Sequence, residues 1–547
     1  MTACRTIRQG FSALAAFALA GGLFAQGRPQ DEVRILLAKT QYAEALARAD
    51  AALASSPADP ELLMGKVDAL LGLDRTLEAR QLSLSNAALD AGLRYRAGIC
   101  SMRFGRVQEA LDLWKPVLAD PQWGEAACRE SVRGLLASGR EEEARLLFLE
   151  GLSKAGSAGP ALLNLGVGLD LGPEGNAALA QKSQAAAPEG SERIQAWLKL
   201  RAAAGGDLCR TSVQGSAPLK IALKEKTERV EANTLEWGGS GGASPLAPAA
   251  EGSVSTSSGQ QGYGAGSKDT SSKEGGRAGT LSSHPRVVVD ARLNGERSEP
   301  MVLDSGMDTV LLSSRVVKKL GLQPVAPGEY SGTGLEHPVS SKWFLLKEIQ
   351  VGPVTFKDVP ALMIDEKTEF WKETGGILPL WLFRGYGIHY DRRHGKLELL
   401  ESGTPPDQVL GAGATRLNAL WLDGKPYVET RIQNKPMRYL LLANNVIATY
   451  LEERRLDDLG VTLQTSKYGT QQSRGHFSII LSGIADNVAL NLGSTRINLP
   501  TVHAADLCPD CGVECSGILG RNVLDLFDVY FDYRAGVVAL KGYEKGR

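Results

Sequence analysis

Met301-Val302-Leu303-Asp304-Ser305-Gly306-Met307-Asp308-Thr309-Val310-Leu311 decides how the second half of this chain folds. An apolar run carries Asp304 to the end of a strand, Ser305 and Gly306 turn the chain, and a second apolar run follows. Asp, Ser and Gly are also what an ordinary β-turn selects, so the tripeptide alone fixes no chemistry. A carboxylate held at such a turn, with backbone N–H groups close by, is placed to bind and activate a water.

Working outward, the same order of segments occurs twice. The first copy opens with the strand 286–295, passes through the Asp304 loop, and continues into a short helix from Ser314 to Leu320 closed by Gly321. Tyr330-Ser331-Gly332-Thr333-Gly334 follows, then Gly376-Ile377-Leu378-Pro379-Leu380 and Gly387-Ile388-His389-Tyr390-Asp391-Arg392. The second copy opens with Tyr427 to Asn434 and reaches Tyr439-Leu440-Leu441-Leu442-Ala443-Asn444-Asn445 at the loop. A helix is expected from Leu451 to Leu459, ending at Gly460. Gly517-Ile518-Leu519-Gly520 and Val529-Tyr530-Phe531-Asp532-Tyr533-Arg534 close the unit. Asp304 to Gly321 and Ala443 to Gly460 are both 17 residues; Pro379 to Asp391 and Gly520 to Asp532 are both 12. Matching internal rulers identify a duplication.

The paired loops and the apolar-apolar-Gly segments resemble the pepsin-like and retropepsin-like aspartic peptidases over residues 286–541. The resemblance implies an all-β bilobal acid protease fold, with lobe 1 at 286–403 and lobe 2 at 411–541. It implies Asp304 as the catalytic residue in a loop with Ser305 and Gly306, and a flap tipped by Gly332 and Gly334. It also implies aspartic-type endopeptidase activity on a peptide or protein substrate, with no cofactor and no metal. That chemistry uses two carboxylates: one stays protonated to polarise the scissile carbonyl while the other takes a proton from water.

The second loop departs from the pattern, because Ala443 stands where the second Asp belongs and Asn444-Asn445 replace Thr/Ser-Gly. Two readings stand. In one, Asp304 hydrolyses peptide bonds together with Asp304 of a second chain, as in a retropepsin homodimer, and lobe 2 is a degenerate copy. In the other, the protein is an inactive peptidase relative that binds peptides or proteins as a scaffold. A lone Asp304 has no partner to raise or split its pKa and is expected to be ionised near neutral pH, and the missing Gly of the second loop is expected to hinder its approach to the first.

The first half reads as all helix and repeats. Ala45 to Ala79 is 34 residues, Ala79 to Ala110 is 31, Ala110 to Ala144 is 34, and Ala178 lies another 34 on. Each follows a Glu or begins a similar helix, and a small residue at that point suits closely packed helix pairs. Residues 30–205 resemble tetratricopeptide repeats, which implies a solenoid that recruits a protein partner or substrate. The whole is therefore a multidomain α + β chain, an all-α helical-repeat solenoid followed by an all-β half. Residues 206–237 read as a connecting segment with a strand at 219–223. Residues 238–284, poor in large apolar side chains, read as a Gly/Ser-rich disordered linker.

The chain has 547 residues, 43% hydrophobic and 22% charged, with a formal net charge of −1. That balance gives no field for nucleic acid or an anionic membrane. Residues 1–25, with Arg5 and Arg8 before an apolar core from Phe11 to Phe24, read as a signal peptide. The expected destination is outside the cytoplasm, periplasmic or secreted, with no membrane span after the leader is removed. In an oxidising compartment, Cys508, Cys511 and Cys515 suggest a disulfide within their loop. The alternative is a zinc site completed by His503. Cys100, Cys128 and Cys209 are expected to be buried or, for one pair, bridged.

Overall fold

The computed structural model describes residues 28–543 apart from 155–158, 170, 186–191, 235–279, 331–338, 365–372, 436–437, 447, 464–469, 475–476, 506 and 508–511. The leader expected at 1–25 lies outside the described residues, as does most of the linker expected at 238–284. Two compact units are present, one holding Met1–Asp207 with Leu420–Asp423 and Asp510–Glu514, the other Leu208–Ala419, Gly424–Pro509 and Cys515–Arg547. Among the described residues no helix is long and apolar enough to cross a membrane.

The first unit is helical. Helices α1 (Pro29–Ala38), α2 (Tyr42–Leu53), α3 (Pro60–Gly72), α4 (Thr76–Asn86), α5 (Ala91–Arg103), α6 (Val107–Trp114), α7 (Gly124–Ala137) and α8 (Glu141–Lys154) form successive antiparallel pairs. Helices α9 (Pro160–Leu165), α10 (Gly172–Ala185) and α11 (Glu192–Ala204) continue the unit. The repeated alanines sit where the periodicity puts them: Ala45, Ala79, Ala110 and Ala144 are each 0% exposed. The fifth, Ala178, is only half-buried. The turn before each of α2, α4, α6 and α8 uses one residue in the left-handed region, Thr40, Asp74, Gly105 and Gly139. Each stands five residues before its alanine. The next N–H then reaches back to the ending helix, as Gln41 does to the Leu36 carbonyl (2.9 Å) and Arg140 to the Leu135 carbonyl (2.9 Å). Two of the entering helices carry side-chain caps: Asp59 accepts from the Leu62 N–H ahead of Pro60, and Asp90 accepts from the Gly92 and Leu93 N–H groups. Cys100, Cys128 and Cys209 are free thiols. Burial pushes all three up to about 11.

The second unit is built of strands. Its first lobe contains β1 (Arg210–Val213), β2 (Leu219–Ala222), β3 (Lys224–Thr234), β4 (Thr280–Leu293), β5 (Ser298–Asp304), β6 (Val310–Ser313), β7 (Ala326–Tyr330), β8 (Val339–Val351), β9 (Val354–Ile364), β10 (Gly376–Pro379), β11 (Tyr386–Asp391) and β12 (Lys396–Glu401). The second contains β13 (Thr415–Leu422), β14 (Lys425–Ile432), β15 (Arg438–Leu442), β16 (Tyr450–Glu452), β17 (Thr470–Arg474), β18 (Phe477–Leu492), β19 (Thr495–Ala505), β20 (Cys515–Leu519), β21 (Phe527–Asp532) and β22 (Val537–Gly542). Residues 206–237 do more than connect. β1 pairs with β9, β2 with β12 and β3 with β4. β4 begins at Thr280, inside the stretch read as linker.

The duplication holds strand by strand. In lobe 1, β10 lies parallel to β5 and antiparallel to β6, with Pro379 beside Asp304. In lobe 2, β20 lies parallel to β15 and antiparallel to β16, with Leu519 beside Leu442. β6 runs parallel to β9, and β16 parallel to β19. Both inserted strands carry a glycine that has no substitute. A Cβ on Gly376 would sit 1.9 Å from the Leu311 carbonyl oxygen, and one on Gly517 would sit 2.0 Å from that of Tyr450. One expectation is corrected here. Residues 450–452 form β16 rather than the start of a helix, which begins as a 3-10 turn at Glu453–Arg455 and continues as Leu456–Leu459. The apolar run Tyr450-Leu451 is needed to hold β20, and tertiary pairing overrides its helical pattern. A further antiparallel sheet of order β2-β12-β11-β21-β22-β13 joins the lobes, its centre the pair β11 and β21.

Candidate active site

Strand β5 ends at Asp304, and the chain turns through Ser305 and Gly306 against the corresponding turn at Ala443-Asn444-Asn445. The two loops are in contact. A Cβ placed on Gly306 would lie 3.1 Å from the Cβ of Ala443, so glycine is what lets this side of the approach happen.

The contact is locked by a reciprocal set of hydrogen bonds. The Asn444 N–H donates to Ser305 Oγ (3.1 Å), and that hydroxyl donates to the Leu442 carbonyl (2.8 Å). In return, the Ser305 N–H donates to Asn444 Oδ1 (2.8 Å), and Asn444 Nδ2 donates to the Leu303 carbonyl (3.0 Å). Each loop therefore offers one side chain that accepts from the other loop's N–H and donates to its preceding carbonyl. A serine hydroxyl does both with one atom; an asparagine amide does both with two. Asn444 also donates to the Tyr390 hydroxyl (3.4 Å). The second loop thus meets the first without a glycine, contrary to the expectation from its sequence. Asn445 turns its side chain to the Leu303 carbonyl and the Val287 N–H, and its carbonyl accepts from Arg286. Ser305, Asn444 and Asn445 are buried.

Asp304 keeps some solvent contact but lies deep among protein atoms. Burial pushes its pKa above the usual carboxylate value. The Gly306 N–H (2.7 Å from Oδ1), the charge of Arg286 and the Asn445 side chain all pull the other way without cancelling it. The expectation that nothing raises it without a second acid is corrected accordingly: desolvation alone does so. The methyl of Ala443 faces the Asp304 turn. A second Asp304 from another chain would have to displace lobe 2 from Ser305 and Asn444 to come as close.

The other expected residues fall as follows. Gly332 and Gly334 lie outside the described residues, between β7 and β8, whose register closes at Tyr330 opposite Val339. Cys508 and Cys511 also lie outside them, so the expected disulfide falls there. Cys515 is buried on β20 and its thiol reaches the Gly517 carbonyl (3.5 Å). His503 is half-buried on β19, stacked on Tyr450, and burial lowers its pKa. Asp391 and Asp532 cap turns, accepting from the His394 N–H (3.1 Å) and the Ala535 N–H (2.9 Å). Sequence reasoning missed Asn444 as the lock and Arg286 as the nearby cation. The only signal for Asn444 was its alignment with Ser305, two polar side chains at the same step of a duplicated loop.

The fold is a two-lobed β unit with duplicated loops, preceded in the chain by a helical repeat unit. Residues 289–379 match the aspartyl protease family, a match that spans lobe 1 from β4 to β10. Among solved structures, the aspartic proteinase from Irpex lacteus is similar at 10% identity with a TM-score of 0.29, over 47% of this chain and 94% of that one. A structure of nearly identical TPR-like repeats from Podosopora anserina is similar at 19% identity with a TM-score of 0.24, over 31% of this chain and 92% of that one. No curated protein matches the chain.

Proposed function

We propose that the β unit is a peptide-binding domain on a peptidase-like frame, which as a single chain holds an extended peptide near Asp304 without cleaving it. The observation that carries this reading is Ala443. It occupies the second carboxylate's place in a loop locked to the Asp304 loop by four hydrogen bonds. Hydrolysis needs a proton donor and a proton acceptor on opposite sides of one water, and a methyl group is neither. The helical repeats would recruit a protein partner, and the leader would send the chain to the periplasm or outside the cell.

One observation favours a second reading, retained peptide-bond hydrolysis. The Asp304-Ser305-Gly306 turn is intact, and its carboxyl keeps solvent contact with a pKa above the usual value.

The test measures cleavage of a mixed peptide library by the full chain, from pH 3 to pH 8 and across protein concentration. The binding reading expects no turnover at any dilution, peptide binding that survives Asp304→Asn, and acid-dependent cleavage created by Ala443→Asp. Turnover by the unaltered chain that is abolished in Asp304→Asn would overturn it. A rise of specific activity with concentration would further indicate a two-chain dyad.

A further inference from the structure

We propose that His389, Asp391 and Asp528 form a binding site for one divalent cation of the zinc class on the sheet that joins the two lobes. The register assembles it. His389 and Asp391 are two residues apart on β11 and share a face; Asp528 is the second residue of the neighbouring β21, two residues before Tyr530, which stands opposite His389. One ligand atom from each of His389, Asp391 and Asp528 lies within 4.8 Å of the others. Donors around a tetrahedral zinc sit roughly 3.3 Å apart, so a modest contraction completes the set.

The orientation of His389 is what points to a ligand. The ring is 6% exposed, and Nδ1 lies 3.0 Å from Oε2 of Glu398, directly opposite on β12. A carboxylate accepting from Nδ1–H leaves the lone pair on Nε2, the arrangement by which metal-binding histidines are held. That Nε2 faces Oδ1 of Asp528 across 3.8 Å, and neither buried atom has a hydrogen-bond partner. Two unpartnered polar atoms facing each other inside a sheet are costly unless something lies between them. An imidazole with carboxylates suits zinc.

The duplicated copy lacks this pair. Asp391 answers to Asp532, so His389 answers to Tyr530 and Asp528 to Gly387. There the Tyr530 hydroxyl is satisfied, donating to the Thr404 carbonyl (2.9 Å) and Asp532 Oδ2 (3.2 Å), with Gly387 beneath its ring. The fold therefore does not require a histidine facing an aspartate. Other neighbours stand close: Lys220 Nζ lies 3.8 Å from Glu398 Oε1, and the Tyr543 hydroxyl lies beside Asp528. Lys396 Nζ stands 3.4 Å from Asp391 Oδ2 and 3.5 Å from Glu398 Oε1, and is exposed enough to swing away as a cation enters. His394, with Nδ1 2.9 Å from Asp391 Oδ1, is exposed and offers a fourth donor.

The experiment uses the full chain, stripped of metal and titrated with zinc chloride by calorimetry, with metal analysis after dialysis. One equivalent is expected for the unaltered chain and for a Cys508→Ser/Cys511→Ser variant. Binding should weaken at least about 10-fold in His389→Gln and in Asp528→Asn, and about 10-fold in Glu398→Gln, the positioning residue. Cobalt bound to the unaltered chain should lack thiolate charge-transfer absorption, a readout that holds even if a variant misfolds. Three results would overturn the site: no stoichiometric zinc, binding undiminished in folded His389→Gln and Asp528→Asn, or a thiolate band. The first would leave His389 as an imidazolium held between Glu398 and Asp528; the last would move the metal to the cysteine loop.

Discussion

Replacing Asn444 by alanine tests the lock between the loops. In the structure Asn444 Oδ1 accepts the Ser305 N–H at 2.8 Å and Nδ2 donates to the Leu303 carbonyl at 3.0 Å, all of it buried. Removing the amide orphans the Ser305 N–H, which costs about 1–3 kcal/mol. The Leu303 carbonyl still accepts from Asn445, so the second bond is lost for about 1 kcal/mol. The sum is about 3 kcal/mol, which in a unit this large lowers the melting temperature by roughly 4–5 °C. Asn444→Thr should lose much less, because a hydroxyl there could repeat what Ser305 Oγ does for the opposite loop. The assay is calorimetric melting of the full chain, with hydrogen exchange read on peptides covering 298–313 and 438–452. The Ser305→Ala/Asn444→Ala pair should cost clearly less than the sum of its singles, since both remove one network. A melting shift under about 2 °C for Asn444→Ala, or strict additivity of the pair, would refute the reciprocal lock.

Other outcomes follow from the same geometry. Asp304 is raised above its ordinary value of 3.8, so its ionised form is disfavoured by folding above that raised pKa and costs nothing below the ordinary one. Asp304→Asn should therefore raise the melting temperature at pH 7, and the gain should vanish by about pH 3; a gain that persists there would contradict it. Glu299 has the opposite sign. Burial works to raise it, but hydrogen bonds from Arg315 and Lys319 prevail and hold it below its ordinary value of 4.5. Arg315→Met should cost about 1 kcal/mol at neutral pH, discounted for the exposure of Arg315. Melts across pH should show that cost fading as the pH falls through the depressed value. Gly376→Ala or Gly517→Ala would force a Cβ to within about 2 Å of a carbonyl oxygen. Each should cost more than about 4 kcal/mol, read as loss of soluble, cooperatively melting protein.

Much of this protein was legible in one dimension. Repeat spacing placed Ala45, Ala79, Ala110 and Ala144 at helix contacts, because helix pairs recur in chain order and bury the same small residue each time. Apolar runs ended by turn residues and the equal rulers from Asp304 to Gly321 and Ala443 to Gly460 gave two β lobes, since a duplicated topology keeps its segment lengths. The absence of a second carboxylate at Ala443 was equally plain. Local pattern failed at β16, where pairing with β20 fixed Tyr450–Glu452 as strand. It also failed wherever a side chain's partner is distant in sequence. Asn444 looked like a lost signature until its amide met Ser305, 139 residues away. Asp304 looked like an ordinary acid until the packing around it set the cost of its charge. His389 was only one residue of the 387–392 segment until β11, β12 and β21 brought Glu398 and Asp528 to its two nitrogens. Composition and spacing determine which elements form, because backbone periodicity and short-range sterics act along the chain. Hydrogen-bond reciprocity, desolvation and ligand geometry are sums over neighbours in space, and only the tertiary structure decides who those neighbours are.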